Sequence, residues 1–220
     1  MTSRTGPKPP RPPVVSLPEL RPHDGPLEPE GDYDGEVFTS LDLTGADAPG
    51  ARFLDCALRG VTLDEAGLRG ARLTDCVLDG VRGVGTNLVN ARLQDVECAD
   101  PRLGGVLLHG ASLSRVRVRG GKLDYVNLRA ATLTDVTFEG CVLVEPDLAG
   151  ARLTRVAFRD CVLRDVDLTG AVLADVDLRE LAELSPVRGV ERLAGATITP
   201  TQLLDLAPAF AGYLGVRVEP

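Results

Sequence analysis

Tryptophan is absent, phenylalanine and tyrosine number five and three, and aromatics make up only 4% of the 220 residues. The interior must therefore be filled by Leu, Val, Ala and Cys, which favours many small, similar layers over one irregular core. No run of about 18 apolar residues is present to span a bilayer, and no amino-terminal apolar stretch reads as a signal peptide. A soluble cytoplasmic protein is the expectation. Cations are in the minority: 24 Lys and Arg against 32 Asp and Glu give a net charge of -8. Generic nucleic-acid binding rests on clustered Lys and Arg, so neither direct nucleic acid binding nor membrane binding is expected. An acidic surface suits a basic protein partner instead. The five cysteines, an odd number, fit reduced thiols rather than a secreted disulfide framework. His23 lies in the amino-terminal stretch and His109 on a turn; neither has ligand-spaced Cys or carboxylate partners, so no metal or cofactor is implied.

Proline, by contrast, is concentrated. Residues 1–35 hold nine of the sixteen prolines, as in PKPPRPPVV and RPHDGPLEPEGD, and almost no periodic apolar pattern. This composition predicts a disordered, extended arm. Its KPPRPP segment can adopt polyproline II and dock an aromatic groove.

From Phe38 every fifth residue becomes a large apolar one, and the frame does not slip as far as Leu178. Of these 29 positions 25 are Leu or Phe; the exceptions are Ala48, Gly83, Cys98 and Val118. Two residues before nearly all of them sits a small or β-branched residue, such as Ala71 before Leu73 or Val126 before Leu128. A spacing of two places both on one face of an extended segment. The remaining positions are often Gly, Asp, Asn or Arg, so each unit reads as a very short strand and a corner. Neither a helical period nor plain alternation explains a strict five.

The number of sides per circuit follows from the small position. Steps of twenty give Ala51, Ala71, Ala91, Ala111, Ala131, Ala151 and Ala171, and beside them Cys56, Cys76, Val96, Val116, Val136, Val156 and Val176. Steps of fifteen mix Ala51, Ala66, Val81 and Val96. The pattern predicts an all-β, four-sided solenoid over residues 36–180, about seven coils of about twenty residues each. The echo of GARFLDCALRG (residues 50–60) in GARLTDCVLDG (residues 70–80) is one trip around that square.

Residues 181–220 close the solenoid. Glu183 and Arg188 break the frame, and ITPTQLLDLAPAFAGYLGVRV follows. Thr199, Pro200 and Gln202 predict a helix start with an N-cap, a first-turn proline and a capping-box glutamine. Pro208 is expected to kink or split the helix, and Gly215 to end it before a short strand at Val216–Val218. Leu203, Leu206, Phe210, Tyr213, Leu214, Val216 and Val218 exceed what a small cap needs, which predicts a homodimer interface.

The unbroken frame, with TNLVN (86–90), VNLRA (126–130), PDLAG (146–150) and VDLTG (166–170), resembles the pentapeptide repeat family, whose consensus is A(D/N)LXX. The resemblance covers about residues 36–180. It implies a right-handed quadrilateral β-helix. The best understood members are quinolone-resistance proteins, cytoplasmic dimers that bind DNA gyrase as mimics of duplex DNA. TQLLDLAPAFAGYLGVRV resembles the helix and strand through which they dimerise. Some members carry loops that interrupt the coil and protect gyrase from drug. The frame here admits no insertion between Phe38 and Leu178, which speaks against that protective activity.

A DNA mimic needs arrayed negative charge. Residues 36–110 carry seven basic and eleven acidic groups and residues 131–180 five and ten, but residues 111–130 place Arg115, Arg117, Arg119, Lys122 and Arg129 against Asp124 alone. The rod is thus acidic with a basic girdle. Glu145, Asp147, Asp165 and Asp167 line one edge of adjacent coils and form the candidate partner-binding site. The column Arg52, Arg72, Arg92 and Arg152 works against a uniform mimic. Cys56 and Cys76, and Cys141 and Cys161, stack within disulfide reach, but as inward fillers in a column shared with valine. No nucleophile, base and orienting group recur, and no Gly-rich loop precedes a helix, so no catalytic residue is assigned. The sequence leaves two functions: a topoisomerase-binding DNA mimic, or a scaffold with an unrelated protein partner.

Overall fold

The computed structural model describes residues 6–219. Every fifth residue from Glu30 to Asp175 has a positive φ, between 47° and 73°. That left-handed conformation is costly for most residues and tolerated by Gly, Asn and Asp, which explains why those three dominate the corner positions. Between corners the chain is extended, with the small residue and the leucine pointing inward. The alanine column from Ala51 to Ala171 is at most 2% exposed, and Leu73, Leu113, Leu133, Leu153 and Leu173 are buried with it.

Pairing is parallel and steps by twenty: Leu73 lies opposite Leu93, then Leu113, Leu133, Leu153 and Leu173. A twelve-stranded sheet forms two adjacent sides, with strands such as Arg72–Asp79 and Arg92–Ala99 bending through the corner between them. A six-stranded sheet forms the third side. The fourth is a file of single bridges, Asn87 to Leu107 to Asn127 to Asp147 to Asp167. The result is a parallel β-solenoid of about eight turns, roughly 38 Å long at the usual strand spacing.

The expected seven coils become about eight because the coil extends past both expected ends. Two short strands precede the first strict repeats, β1 (Arg21–Pro22) and β2 (Asp32–Asp34), and β3 (Glu36–Thr39) holds Phe38 where the frame begins. Strand β2 pairs with Arg52–Leu54, and β1 with β3. At the other end Glu183–Arg188 pairs with Val162–Asp167. The frame slips there by one residue instead of stopping. Arg159 lies opposite Glu180, and Leu163 opposite Leu184, a step of twenty-one. Glu183 and Arg188 break the sequence frame because a bulge shifts the pairing of this strand by one residue, and the step of twenty returns where Ala196 lies opposite Val176.

The arm corrects the largest expectation. Residues 6–20 are not a free, disordered tail: they run back along the corner between the two sides of the larger sheet. The amides of Lys8, Arg11 and Val14 donate to Asp175, Asp135 and Asp95 at 3.2, 3.0 and 3.4 Å. Residues 21–35 then seal the first coil. His23 stacks on Phe38 with ring centroids 4.3 Å apart and meets Tyr33 edge-on at 5.2 Å, and Tyr33 stacks on Phe53 at 5.0 Å. The His23 Nδ1 lies 2.7 Å from Glu36 Oε2, and Nε2 lies 2.9 Å from the Gly25 carbonyl. A carbonyl only accepts, so Nε2 carries the hydrogen. Three of the chain's eight Phe and Tyr residues are gathered here with His23, at the one place where a layer has no preceding layer to cover it.

Helix α1 (Pro200–Leu214) closes the other end. Thr199 and Gln202 form the reciprocal capping box, Pro200 opens the first turn, and Gly215 ends the helix at φ 70°. Gln202 also donates to the Leu178 carbonyl at 2.7 Å, tying α1 to the last coil. Two expectations are revised. Of a kink or a split at Pro208 the split does not occur: Pro208 lies within the continuous helix α1 and forfeits one amide hydrogen bond. Val216–Val218 forms no strand among the described residues: the Val216 amide donates back to the Ala211 carbonyl at 2.8 Å, and a strand needs a partner edge.

Candidate partner-binding surfaces

The predicted acidic edge exists, but its four residues divide into two kinds. Glu145 and Asp165 occupy stacked left-handed corners one coil apart and are exposed. Asp147 and Asp167 are paired across the fourth side and half-buried. Each caps its own turn: Asp147 accepts from the Ala149 amide at 3.0 Å, and Asp167 from the Thr169 amide at 2.9 Å. Asn87 and Asn127 do the same two residues on. The D/N of the repeat is thus a device for holding the turn, and only Glu145 and Asp165 are wholly free for another molecule. Asp147 also pairs with Arg129 at 2.8 Å. Hydrogen bonding by the Thr169 side chain, outweighing partial burial, holds the Asp167 carboxyl below its usual range.

The basic girdle is largely offset once the side chains are placed. Arg115 grips Asp95, with Nε to Oδ1 at 2.6 Å; Arg117 and Arg119 both reach Glu97; Lys122 meets Asp124 at 2.8 Å. Sequence counting within residues 111–130 missed this because most partners lie one coil away. What does stay stacked is arginine on arginine: Arg52, Arg72 and Arg92 on the first side, and Arg82 and Arg102 followed by Lys122 on the third.

A second charged column, of which the sequence reading saw only the first three aspartates, lies on the corner under the arm. It reads Asp55, Asp75, Asp95, Arg115, Asp135, Arg155, Asp175. Arg155 grips Asp135 as Arg115 grips Asp95, at 2.6 and 2.7 Å. The arginine hydrogen bonds outweigh burial and hold the Asp95 and Asp135 carboxyls below the usual range. Asp75 goes the other way: burial, then Asp95 and Asp55 above and below it, push its carboxyl up. The visible signal was a twenty-residue column of Asp interrupted only by Arg115 and Arg155, beside an X-Pro-Pro arm.

The predicted dimer residues also divide. Leu206 is 3% exposed and Phe210 is partly buried against the core, so these two close the solenoid. Leu203, Tyr213, Leu214, Val216 and Val218 are exposed, and Leu204, which the sequence reading omitted, is 74% exposed with them. The cysteines are free; four are buried, and the thiols of Cys56 and Cys76 donate to the Tyr33 and Phe53 carbonyls at 3.4 Å. Burial pushes the Cys76 and Cys98 thiols up to about 12, far from the reactive thiolate range. An apolar cavity of about 110 Å³ lies in the core near Leu63, Val81, Leu103 and Val106.

Five-residue units, left-handed corners and parallel stacking every twenty residues define a four-sided repeat solenoid. The sequence profile of the pentapeptide repeat region matches residues 51–128 and 122–183. The chain belongs to the pentapeptide repeat family. No curated protein matches it in sequence. Among solved structures it is similar in fold to trypsin-treated QnrB1 (M102R), a plasmid-mediated fluoroquinolone resistance protein, at 17% identity and TM-score 0.36, covering 90% of this chain and 96% of that one. It is similar also to HetL, a pentapeptide repeat protein involved in heterocyst differentiation regulation from the cyanobacterium Nostoc sp., at 19% identity and TM-score 0.34, covering 77% and 90%. These two likenesses concern fold alone.

Proposed function

We propose that this protein is a non-enzymatic binding protein: a homodimer joined through α1 whose acidic edge engages DNA gyrase or a related topoisomerase in place of duplex DNA. The observation that carries this reading is the stacked pair Glu145 and Asp165. They are exposed on adjacent corners and make no ion pair among the described residues. Like charges held at strand spacing cost stability unless something outside the chain uses them. The exposed apolar face of α1 supports the dimer, because a second copy related by a two-fold axis would cover it and prolong the rod. Purified protein is expected to inhibit gyrase supercoiling at micromolar concentration, and Glu145→Lys with Asp165→Lys to lose that inhibition. No inhibition by the unaltered protein overturns the reading.

The arginine ladders favour a second reading, a scaffold for an unrelated, acidic protein. Arg52, Arg72 and Arg92 present a stripe of positive charge that no DNA mimic would keep. In that case supercoiling is untouched, and neutralising Arg72 and Arg92 abolishes partner capture while the Glu145 and Asp165 changes do not.

A further inference from the structure

The amino-terminal arm and the corner beneath it share one spacing. In PKPPRPPV, residues 7–14, only Lys8, Arg11 and Val14 carry an amide hydrogen, and these are the three amides that donate to Asp175, Asp135 and Asp95. Three residues of polyproline II advance about 9.3 Å, and two coils advance about 9.6 Å. Successive donors therefore meet every second coil with a mismatch of only a few tenths of an ångström. The same period sorts the side chains. Pro13 is buried and Pro7 and Pro10 are half-buried, while Pro9, Pro12, Lys8, Arg11 and Val14 face water.

The corner is built to the same measure. From Asp95 to Asp175 it alternates carboxylate and guanidinium, so like groups recur every second coil. Arg115 and Arg155 clamp Asp95 and Asp135 from the next coil, which orients each carboxylate and leaves one oxygen lone pair toward the arm. The exposed side chains of Lys8 and Arg11 bring positive charge to a corner that also carries Asp55 and Asp75, which make no ion pair among the described residues.

We propose that this corner is a recognition track for basic X-Pro-Pro segments in the polyproline II conformation, and that the chain's own arm fills it as a removable cover. Specificity lies in the amides: one donor every third residue, with proline between. The track is independent of the topoisomerase reading, because Glu145 and Asp165 lie on the diagonally opposite corner of the square.

The test uses the full chain and a fluorescent peptide of residues 6–17. In one variant Lys8→Pro, Arg11→Pro and Val14→Pro remove the three donors from the arm while keeping its conformation and leaving the coil unaltered. The peptide is expected to bind this variant at least about ten-fold more tightly than the unaltered protein, whose arm competes within the molecule. Adding Asp95→Gly and Asp135→Gly to the variant is expected to abolish binding; glycine suits the left-handed corners, and unchanged circular dichroism confirms the coil. A peptide that binds neither protein, binds both equally, or ignores the glycine changes overturns the proposal. Hydrogen exchange of the unaltered protein gives a second reading that needs no variant. The Arg11 and Val14 amides are expected to exchange at least about ten-fold more slowly than in the free peptide, and equal rates overturn the proposal as well.

Discussion

The two ends of the solenoid face the same problem, a layer with nothing stacked on it, and solve it differently. At the amino end the chain turns its scarce aromatic side chains onto the open coil: Tyr33, Phe38 and Phe53 are buried, with Leu27 and the His23 ring beside them. At the carboxyl end α1 buries Leu206 and leaves Leu203, Leu204, Tyr213 and Leu214 in water. One end is finished within the chain; the other keeps apolar side chains in water, the face on which the proposed dimer rests. In a repeat protein only the ends can differ in this way, since every interior layer is covered by its neighbours.

The comparison is broken most directly at the finished end. Phe38→Ala removes a fully buried ring at the centre of the aromatic cluster and is expected to cost about 3–5 kcal/mol in urea denaturation. A loss below about 1 kcal/mol would mean that the amino end is not sealed by this cluster. At the unfinished end Leu214→Asp puts a charge on a 70% exposed residue. Light scattering is expected to report a monomer for this variant against a dimer for the unaltered chain, with little change in the fold. A monomeric unaltered protein would make the two ends equivalent.

Acid tests what ties the ends together. Asp95 and Asp135 have folded values below their unfolded ones, chiefly through Arg115 and Arg155. Their contribution is complete above the ordinary carboxylate range near pH 4 and is lost as pH falls through the depressed folded values. Protection of the Arg11 and Val14 amides is therefore expected to persist at pH 5 and to fall toward pH 2. The smaller effects come last. Thr199→Ala removes the N-cap acceptor of α1 and is expected to cost about 1 kcal/mol locally, seen as roughly five-fold faster exchange of the Gln202 amide. Asp75→Asn removes the one corner carboxyl raised by burial and by its neighbours. It is expected to raise the melting temperature slightly at pH 7 and not at all below pH 4, because a raised acid costs stability only where it must ionise.

Most of the coil was legible because its period is local. Ala51 to Ala171 and the leucines two places on announce inward positions, and Gly, Asp and Asn at every fifth place announce left-handed corners. The capping box of Thr199 and Gln202 and the stop at Gly215 were readable for the same reason. What escaped the sequence involves two periods or two distant segments. The arm looked mobile because its composition offers no core of its own, and its partners are carboxylates 81 to 167 residues away. The slip at Glu180 looked like an ending because a bulge shifts the frame without changing the pairing. Charges counted along the chain made a girdle of residues that the fold neutralises across coils. Of the candidate edge, position was legible but role was not: Asp147 and Asp167 belong to their turns, Glu145 and Asp165 to the surface.

The two-coil step of the arm has a consequence for how such a chain can change in length. A plain solenoid can gain or lose any single coil, since each layer fits any other. Here the loss of one coil between Asp95 and Asp135 would bring Arg155 to the place where the Arg11 amide needs a carboxylate. Loss of two, residues 96–135, would bring Asp175 there and restore the match. The arm thus imposes a parity on the rod, and relatives that keep an X-Pro-Pro leader should differ from it by even numbers of coils.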